Sequence, residues 1–282
     1  MSIQMNTKTI TLSGNQTIRV SIKLGKANST PLLLCTGIGA SLELLFPFVE
    51  AMHTAQPDLE IITFDYPGVG GSSTPMMPYR FSGLCRTISE MLDFLNYGQV
   101  FVLGLSWGGF ASQEFAYRYP NRCKKLILAA TCAGVTAIPP SMKVLSLMSS
   151  PKRYTDSNYA ASIAADIYGG HFRGNKELAV EHASCMSQSR GEFKHSQLGY
   201  AYQQGALMWW SSLWYLHSIK QPTLILAGDD DPLIDLRNMK ILAKLIPNSE
   251  MHVFEGEGHL FLLTSLEEVV PIVTKFLEKK DV

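Results

Sequence analysis

The chain has 282 residues, 46% of them hydrophobic and 17% charged, with 24 basic and 24 acidic side chains and a formal net charge of zero. That length suits one large α/β domain, or a core domain carrying an inserted subdomain. Balanced charge without any Lys/Arg run gives a nucleic-acid partner no footing, and no stretch approaches the ~18 uninterrupted apolar residues of a membrane helix.

The opening residues, MSIQMNTKTITLSGNQ, are polar and alternating and lack the charged-then-apolar pattern of a secretory leader. Residues 7–13 and 17–23 alternate in strand fashion around Ser13-Gly14-Asn15, which predicts a hairpin. The rhythm then changes to short apolar runs: PLLLC (31–35), LEIITF (59–64), VFVL (100–103), LILAA (126–130), TLILA (223–227) and MHVF (251–254). Such runs suit strands buried on both faces of a parallel sheet. Between them, Leu84, Ile88, Met91, Leu92 and Leu95 form a helical stripe, and residues 110–119, 236–246 and 266–277 predict further helices. The alternation implies a doubly wound α/β sheet. Residues 134–218 hold no clear buried strand and are too long for a bare loop. They predict a helical cap inserted into a core made of residues 1–133 and 219–282. The five cysteines (Cys35, Cys85, Cys123, Cys132, Cys185) form no CxxC pair, and their odd number predicts buried free thiols in a reducing, cytoplasmic setting.

One turn stands out. Gly104-Leu105-Ser106-Trp107-Gly108 fits G-x-S-x-G between a predicted strand and a predicted helix, the setting of a nucleophile elbow. Side chains two residues before or after the serine would collide with neighbouring backbone, so glycine fits there. A hydroxyl needs a base. Of seven histidines, His259 sits in a glycine-loosened loop after the last predicted strand, at the carboxyl edge that also carries the elbow. His252 falls inside a strand, His53 in an early helix, and His171, His182, His195 and His217 in the insertion. The base needs an acid. Asp229, Asp230 and Asp231 follow the strand at 223–227, and the order Ser, Asp, His is that of α/β-hydrolases. The Gly-x-x-Asp spacing, usual in the α/β-hydrolase fold that this order resembles, favours Asp231, with Asp230 second and Asp235 third. An oxyanion hole would draw on the amides of Trp107 and of Ile38, in the loop Thr36-Gly37-Ile38-Gly39-Ala40. The stretch Asp65 to Ser73 has no Gly-Lys-Ser/Thr and reads as a structural turn organised by Asp65. No His/Cys/Glu cluster has metal-ligand spacing, so no metal is expected.

Several stretches carry a resemblance: GIGASLELLFPFVEA (37–51), DYPGVGGSSTP (65–75), LDFLNYGQV (92–100), GLSWGG (104–109), RCKKLILAAT (122–131), SPKRY (150–154), IYGGHFR (167–173), QPTLILAGDDDPLI (221–234) and GHLFL (258–262). The chain resembles α/β-hydrolase-fold serine hydrolases and, more narrowly, the intracellular depolymerases of medium-chain-length polyhydroxyalkanoates. The resemblance implies cleavage of polyester bonds through an acyl-enzyme, with Ser106, Asp231 and His259 as the triad and no cofactor. It also implies a hydrophobic polyester substrate and contact with a storage granule. Met148, Met208, Trp209, Trp210 and Trp214 in the cap would line an apolar acyl pocket, touch the granule surface, or pack cap against core. Rival readings are a carboxylesterase or lipase, a hydrolase-fold acyltransferase, and a non-catalytic ligand-binding protein.

Overall fold

Apolar runs flanked by turn residues pair into one eight-stranded sheet. The computed structural model describes residues 5–27, 29–150, 152–192 and 197–279. Among them the strands are β1 (Asn6–Thr11), β2 (Thr17–Lys23), β3 (Leu32–Cys35), β4 (Ile61–Phe64), β5 (Val100–Leu105), β6 (Cys123–Ala129), β7 (Thr223–Gly228) and β8 (Ser249–Phe254). The α-helices are α1 (Phe46–Ala55), α2 (Phe81–Phe94), α3 (Trp107–Arg118), α4 (Met142–Ser149), α5 (Lys152–Thr155), α6 (Ser157–Tyr168), α7 (Lys176–Glu192), α8 (Gln197–Leu207), α9 (Leu236–Leu245), α10 (Phe261–Thr264) and α11 (Leu266–Glu278). The sheet order is β1-β2-β4-β3-β5-β6-β7-β8. β1 and β2 form the expected antiparallel hairpin and β2 runs antiparallel to β4. From β4 to β8 every pairing is parallel.

Helices cover both faces of the sheet. In α2, Phe81, Leu84, Cys85, Ile88, Met91 and Leu92 are buried, one stripe at helical spacing. They share a core with Phe115 of α3 and Leu242 of α9, while Phe48 and Met52 of α1 join Val273 and Phe276 of α11 in a second core on the other face. The expectation of two-sided burial fails at β8. It is an edge strand, and Glu250 and His252 are exposed along it. The charged Glu250 there discourages pairing with another chain. Cys185 also departs from expectation. Cys35, Cys85, Cys123 and Cys132 are buried, but Cys185 is exposed. Ala179 and Ala183 form the buried side of α7, and Cys185, two residues on, points to the opposite side.

Helices α4 to α8 all lie between β6 and β7. The two ends of that segment meet: Gly134 bridges Ser211, and Val135 N–H donates to the Trp210 carbonyl at 3.0 Å. Because β3, β5, β7 and β8 are parallel, the loops that follow them emerge at one edge of the sheet. That edge carries Ile38, Ser106, Asp231 and His259.

Candidate active site

At the β5–α3 turn Ser106 has φ 55° and ψ −118°, a conformation that costs a non-glycine residue about 1–3 kcal/mol and persists only where surroundings impose it. Here they do. Ser106 N–H donates to the Ala129 carbonyl at 2.9 Å, and the Ser106 carbonyl accepts from Gly109 N–H and Thr131 Oγ1, each at 2.8 Å. A Cβ on Gly108 would overlap the Cys35 carbonyl, and one on Gly104 would overlap Ser112 Oγ and the Gly108 carbonyl. The glycines of the motif therefore allow α3 to lie against β3 and β5.

His259 comes from the loop after β8. Its Nε2 lies 3.0 Å from Ser106 Oγ and its Nδ1 lies 2.8 Å from Asp231 Oδ2. The His259 and Asp231 side chains are only 5% and 2% exposed, so water competes little for these bonds. With its Nδ1–H donated to Asp231, the imidazole presents Nε2 as an acceptor for the Ser106 hydroxyl proton. The other Asp231 oxygen accepts the N–H groups of Leu233 and Ile234, at 2.8 and 2.9 Å. The remaining carboxylates are engaged elsewhere. Asp229 accepts Gly256 N–H at 2.7 Å. Asp230 accepts Gly170 N–H at 2.7 Å and pairs with Arg173, whose guanidinium holds the Asp230 carboxyl below its ordinary range. Asp235 caps α9 through Arg237 N–H.

Ile38 and Trp107 border the same cavity as Ser106. The Ile38 loop is tied down on several sides. Asp65 Oδ1 accepts Leu42 N–H at 2.8 Å, Tyr66 Oη donates to the Thr36 carbonyl at 3.3 Å, and Gly39 N–H donates to Gln203 Oε1 at 2.8 Å. The N–H of Ile38 enters none of these bonds. Trp107, the first residue of α3, has an N–H with no carbonyl four residues behind it within the helix. Asp65 organises the turn after β4, as expected: its Oδ2 accepts Gly71 N–H at 2.8 Å and Arg19 Nη1–H at 3.1 Å. Burial nonetheless outweighs these partners and raises its pKa to about 6.

The cavity measures ≈ 430 Å³ and is walled mainly by Phe110, Ile138, Leu145, Met148, Leu207, Leu233 and Ile234, with Tyr200 and Gln204 as polar points. Cys132 also borders it. Burial pushes that thiol up to about 11, so it stays protonated and does not compete with the serine. Of the cap residues expected to line a pocket, Met148 does. Met208, Trp209 and Trp214 instead stand out from the surface, 65%, 91% and 75% exposed. Trp210 packs between Phe81 and Phe110, with ring centroids at 4.8 and 5.2 Å, and donates Nε1–H to Glu114 at 3.0 Å. These four follow the end of α8, where the chain turns back to the core and away from the cavity.

Among the other histidines, His171 pairs with the buried Glu257 at 2.8 Å and His182 packs edge-on against Tyr168 and Phe172. His252 lies exposed on β8, His53 lies in α1, and His217 lies in a short 3-10 turn. His195 falls outside the described residues. Sequence reasoning passed over three contributors from the insertion: Arg173 on Asp230, Gln203 on Gly39, and Tyr168, whose carbonyl accepts His259 N–H at 2.7 Å. The adjacent glycines Gly169 and Gly170, both at positive φ, were the signal that a tight turn presses there. Among the described residues no group of His, Cys, Asp or Glu could hold a metal ion, and no helix is long and apolar enough to cross a membrane.

Residues 30–266 match the model of the alpha/beta hydrolase fold family. A poly(3-hydroxyalkanoate) depolymerase of Ectopseudomonas oleovorans is 53% identical over 266 residues, covering 94% of this chain and 90% of that protein. Two solved structures illustrate the fold. An esterase (EaEST) from Exiguobacterium antarcticum matches with a TM-score of 0.79 at 20% identity, over 96% of this chain and 99% of that one. A bromoperoxidase from Bacillus anthracis matches with a TM-score of 0.80 at 18% identity, over 97% and 100%. Similar scaffolds thus carry different names, and these two likenesses bear on fold alone. The matched span of the family model and the 53% identical relative lead to one conclusion: the chain belongs to the alpha/beta-hydrolase-fold family.

Proposed function

We propose that this protein is a serine hydrolase of carboxylic esters and that its substrate is a poly(3-hydroxyalkanoate). The observation that carries the chemistry is the single imidazole within hydrogen-bond reach of both a strained serine and a buried carboxylate, at 3.0 and 2.8 Å. Ser106 Oγ attacks the ester carbonyl while His259 Nε2 takes its proton. Asp231 holds the ring in the required tautomer and stabilises the imidazolium. The negative charge that develops on the carbonyl oxygen is met by the N–H groups of Ile38 and Trp107, each such donor being worth about 2.7–4 kcal/mol to a transition state. Collapse expels the alcohol, which receives the proton from His259. Water activated by the same histidine then releases the acid and restores Ser106. Ester hydrolysis by this route asks for no cofactor.

The polyester assignment is supported by the 53% identical relative and by the apolar walls beside Ser106. The segment 134–218 acts as the cap over this cavity, with Met148 and Leu145 facing the acyl chain. The exposed Met208, Trp209 and Trp214 suit contact with an insoluble polymer surface, such as a storage granule.

The test is hydrolysis of amorphous poly(3-hydroxyalkanoate) granules, followed by release of hydroxy acids, alongside a chain-length series of soluble esters. Wild-type protein releases acids and is labelled stoichiometrically by a fluorophosphonate, whereas Ser106→Ala does neither. Rapid cleavage of acetate esters with intact granules would replace the polymer with a small ester. Failure of the wild type to label would replace the enzyme with a binding protein.

A further inference from the structure

Helix α8 meets the core through Gly199, Gln203 and Ala206, its buried residues, spaced to share one face. Gly199 lies so close to the turn after β4 that a Cβ there would overlap the Gly68 carbonyl. Four residues on, Gln203 is fully buried. Its Oε1 accepts Gly39 N–H at 2.8 Å, and its main-chain carbonyl accepts the Trp107 indole Nε1–H at 3.1 Å. The Gly39 donor fixes which way the amide faces. Its Nε2 is left buried with no hydrogen-bond partner among the described residues. An unpaired buried donor is costly, and an apolar side chain of equal length would avoid it. The acceptor oxygen must therefore do something that shape alone does not.

We propose that Gln203 is a positioning residue for the oxyanion-binding amides, holding through one cap residue both the Ile38 loop and the Trp107 ring. This rests on the serine-hydrolase reading above. Gly39 sits at φ 67°, and its N–H belongs to the peptide that follows Ile38. Holding that N–H sets the dihedral next to the Ile38 amide. Oxyanion donors act only within a narrow range of distance, about 2.7–3.1 Å from the charged oxygen. A loop free to rotate would bind the uncharged ester nearly as well and stabilise the tetrahedral state poorly. The cap thereby helps to build the site that it covers.

The experiment compares Gln203→Met and Gln203→Glu with wild type on a soluble medium-chain p-nitrophenyl ester, with melting temperatures measured in parallel. Gln203→Met removes the acceptor at constant length. Its kcat is expected to fall at least tenfold with KM within threefold of wild type, and its affinity for an alkylboronic acid, which forms a tetrahedral adduct on Ser106, is expected to fall in proportion. Gln203→Glu offers the same oxygen while its carboxyl is neutral, and burial favours the neutral form. Its kcat relative to wild type is expected to stay within fivefold at pH 6 and to decline toward pH 9 as a charge forms against the Gly39 amide, one residue from the Ile38 donor. A folded Gln203→Met with unchanged kcat, or with KM raised in step with a lost kcat, overturns the inference. If Gln203→Met does not fold, a Gln203→Glu ratio independent of pH overturns it instead. A wild type that cleaves no ester defeats the serine-hydrolase reading first, which is a distinguishable failure.

Discussion

At Ser106 the neighbours are backbone carbonyls and packed side chains that leave the turn a single shape. The segment between β6 and β7 reaches that turn and the loops around it through close backbone approaches at Gly169, Gly170 and Gly199 and through separate polar contacts: Gln203 on Gly39, Tyr168 on His259, Arg173 and Gly170 on Asp230, and His171 on Glu257. The surfaces differ as well. β3, β4, β5 and β7 are buried along their whole length, while Met142, Trp209 and Trp214 in the insertion are mostly exposed. The difference teaches that, on the serine-hydrolase reading proposed above, the core sets where bonds break and the insertion sets what reaches them. Packing makes the first rigid. In the second, the side-chain contacts of Gln203, Arg173 and His171 can be altered one at a time.

Substitutions can break or sharpen that contrast. The largest effect is expected on the core side. Ser106→Ala should lower kcat by about 10⁶-fold, the scale seen when a serine nucleophile is removed, with the fold intact by circular dichroism. Asp231→Asn follows. It keeps the shape but favours the wrong imidazole tautomer, and a fall of about 10⁴-fold in kcat is expected from steady-state kinetics. Gly108→Ala should cost about 3 kcal/mol of stability in a denaturant titration, because its methyl would overlap the Cys35 carbonyl. If that variant is as stable as wild type, the elbow is less constrained than its close packing on Cys35 implies.

On the insertion side the effects shrink and become selective. The double variant Trp209→Ser, Trp214→Ser should slow granule hydrolysis about tenfold, equivalent to ~1.4 kcal/mol of lost surface contact, and leave soluble-ester turnover unchanged. Equal losses on both substrates would count against a surface role for these rings. Arg173→Gln should be the mildest, about 0.5 kcal/mol, since the pair is half exposed. Its signature lies in pH. The Asp230 carboxyl is held below its ordinary range, so its contribution is present above the unfolded pKa of about 3.9 and is lost as pH falls through the lower folded value. Melting temperature plotted from pH 5 down to pH 3 should therefore drop less steeply in Arg173→Gln than in wild type.

Much of this was legible from local pattern. The runs at 31–35, 100–103 and 223–227 could be read as strands because β3, β5 and β7 are buried on both faces and so carry no polar alternation. The elbow was legible because its steric demand falls on Gly104 and Gly108, only two residues from the serine. MHVF misled because a short, mostly apolar run looks the same at the centre and at the edge of a sheet, and β8 proved to be the edge. The tryptophans were left among three alternatives for a related reason. An aromatic cluster shows that rings need an environment, and Trp210 found it between Phe81 and Phe110 while Trp209 and Trp214 remained in solvent.

Three neighbouring carboxylates mark the limit. Spacing ranked Asp231 above Asp230, but only the folded loops brought Asp231 to His259 and sent Asp230 to Arg173. The residues alone determined the buried central strands, the strained serine and the order of serine, acid and histidine along the chain, because strand burial and turn sterics act over a few neighbours. Tertiary structure alone decided which acid meets the imidazole, which apolar side chains wall the cavity, and that Gln203 reaches Gly39 across 164 positions. Those outcomes depend on how separate segments pack together, and no short stretch of sequence encodes that.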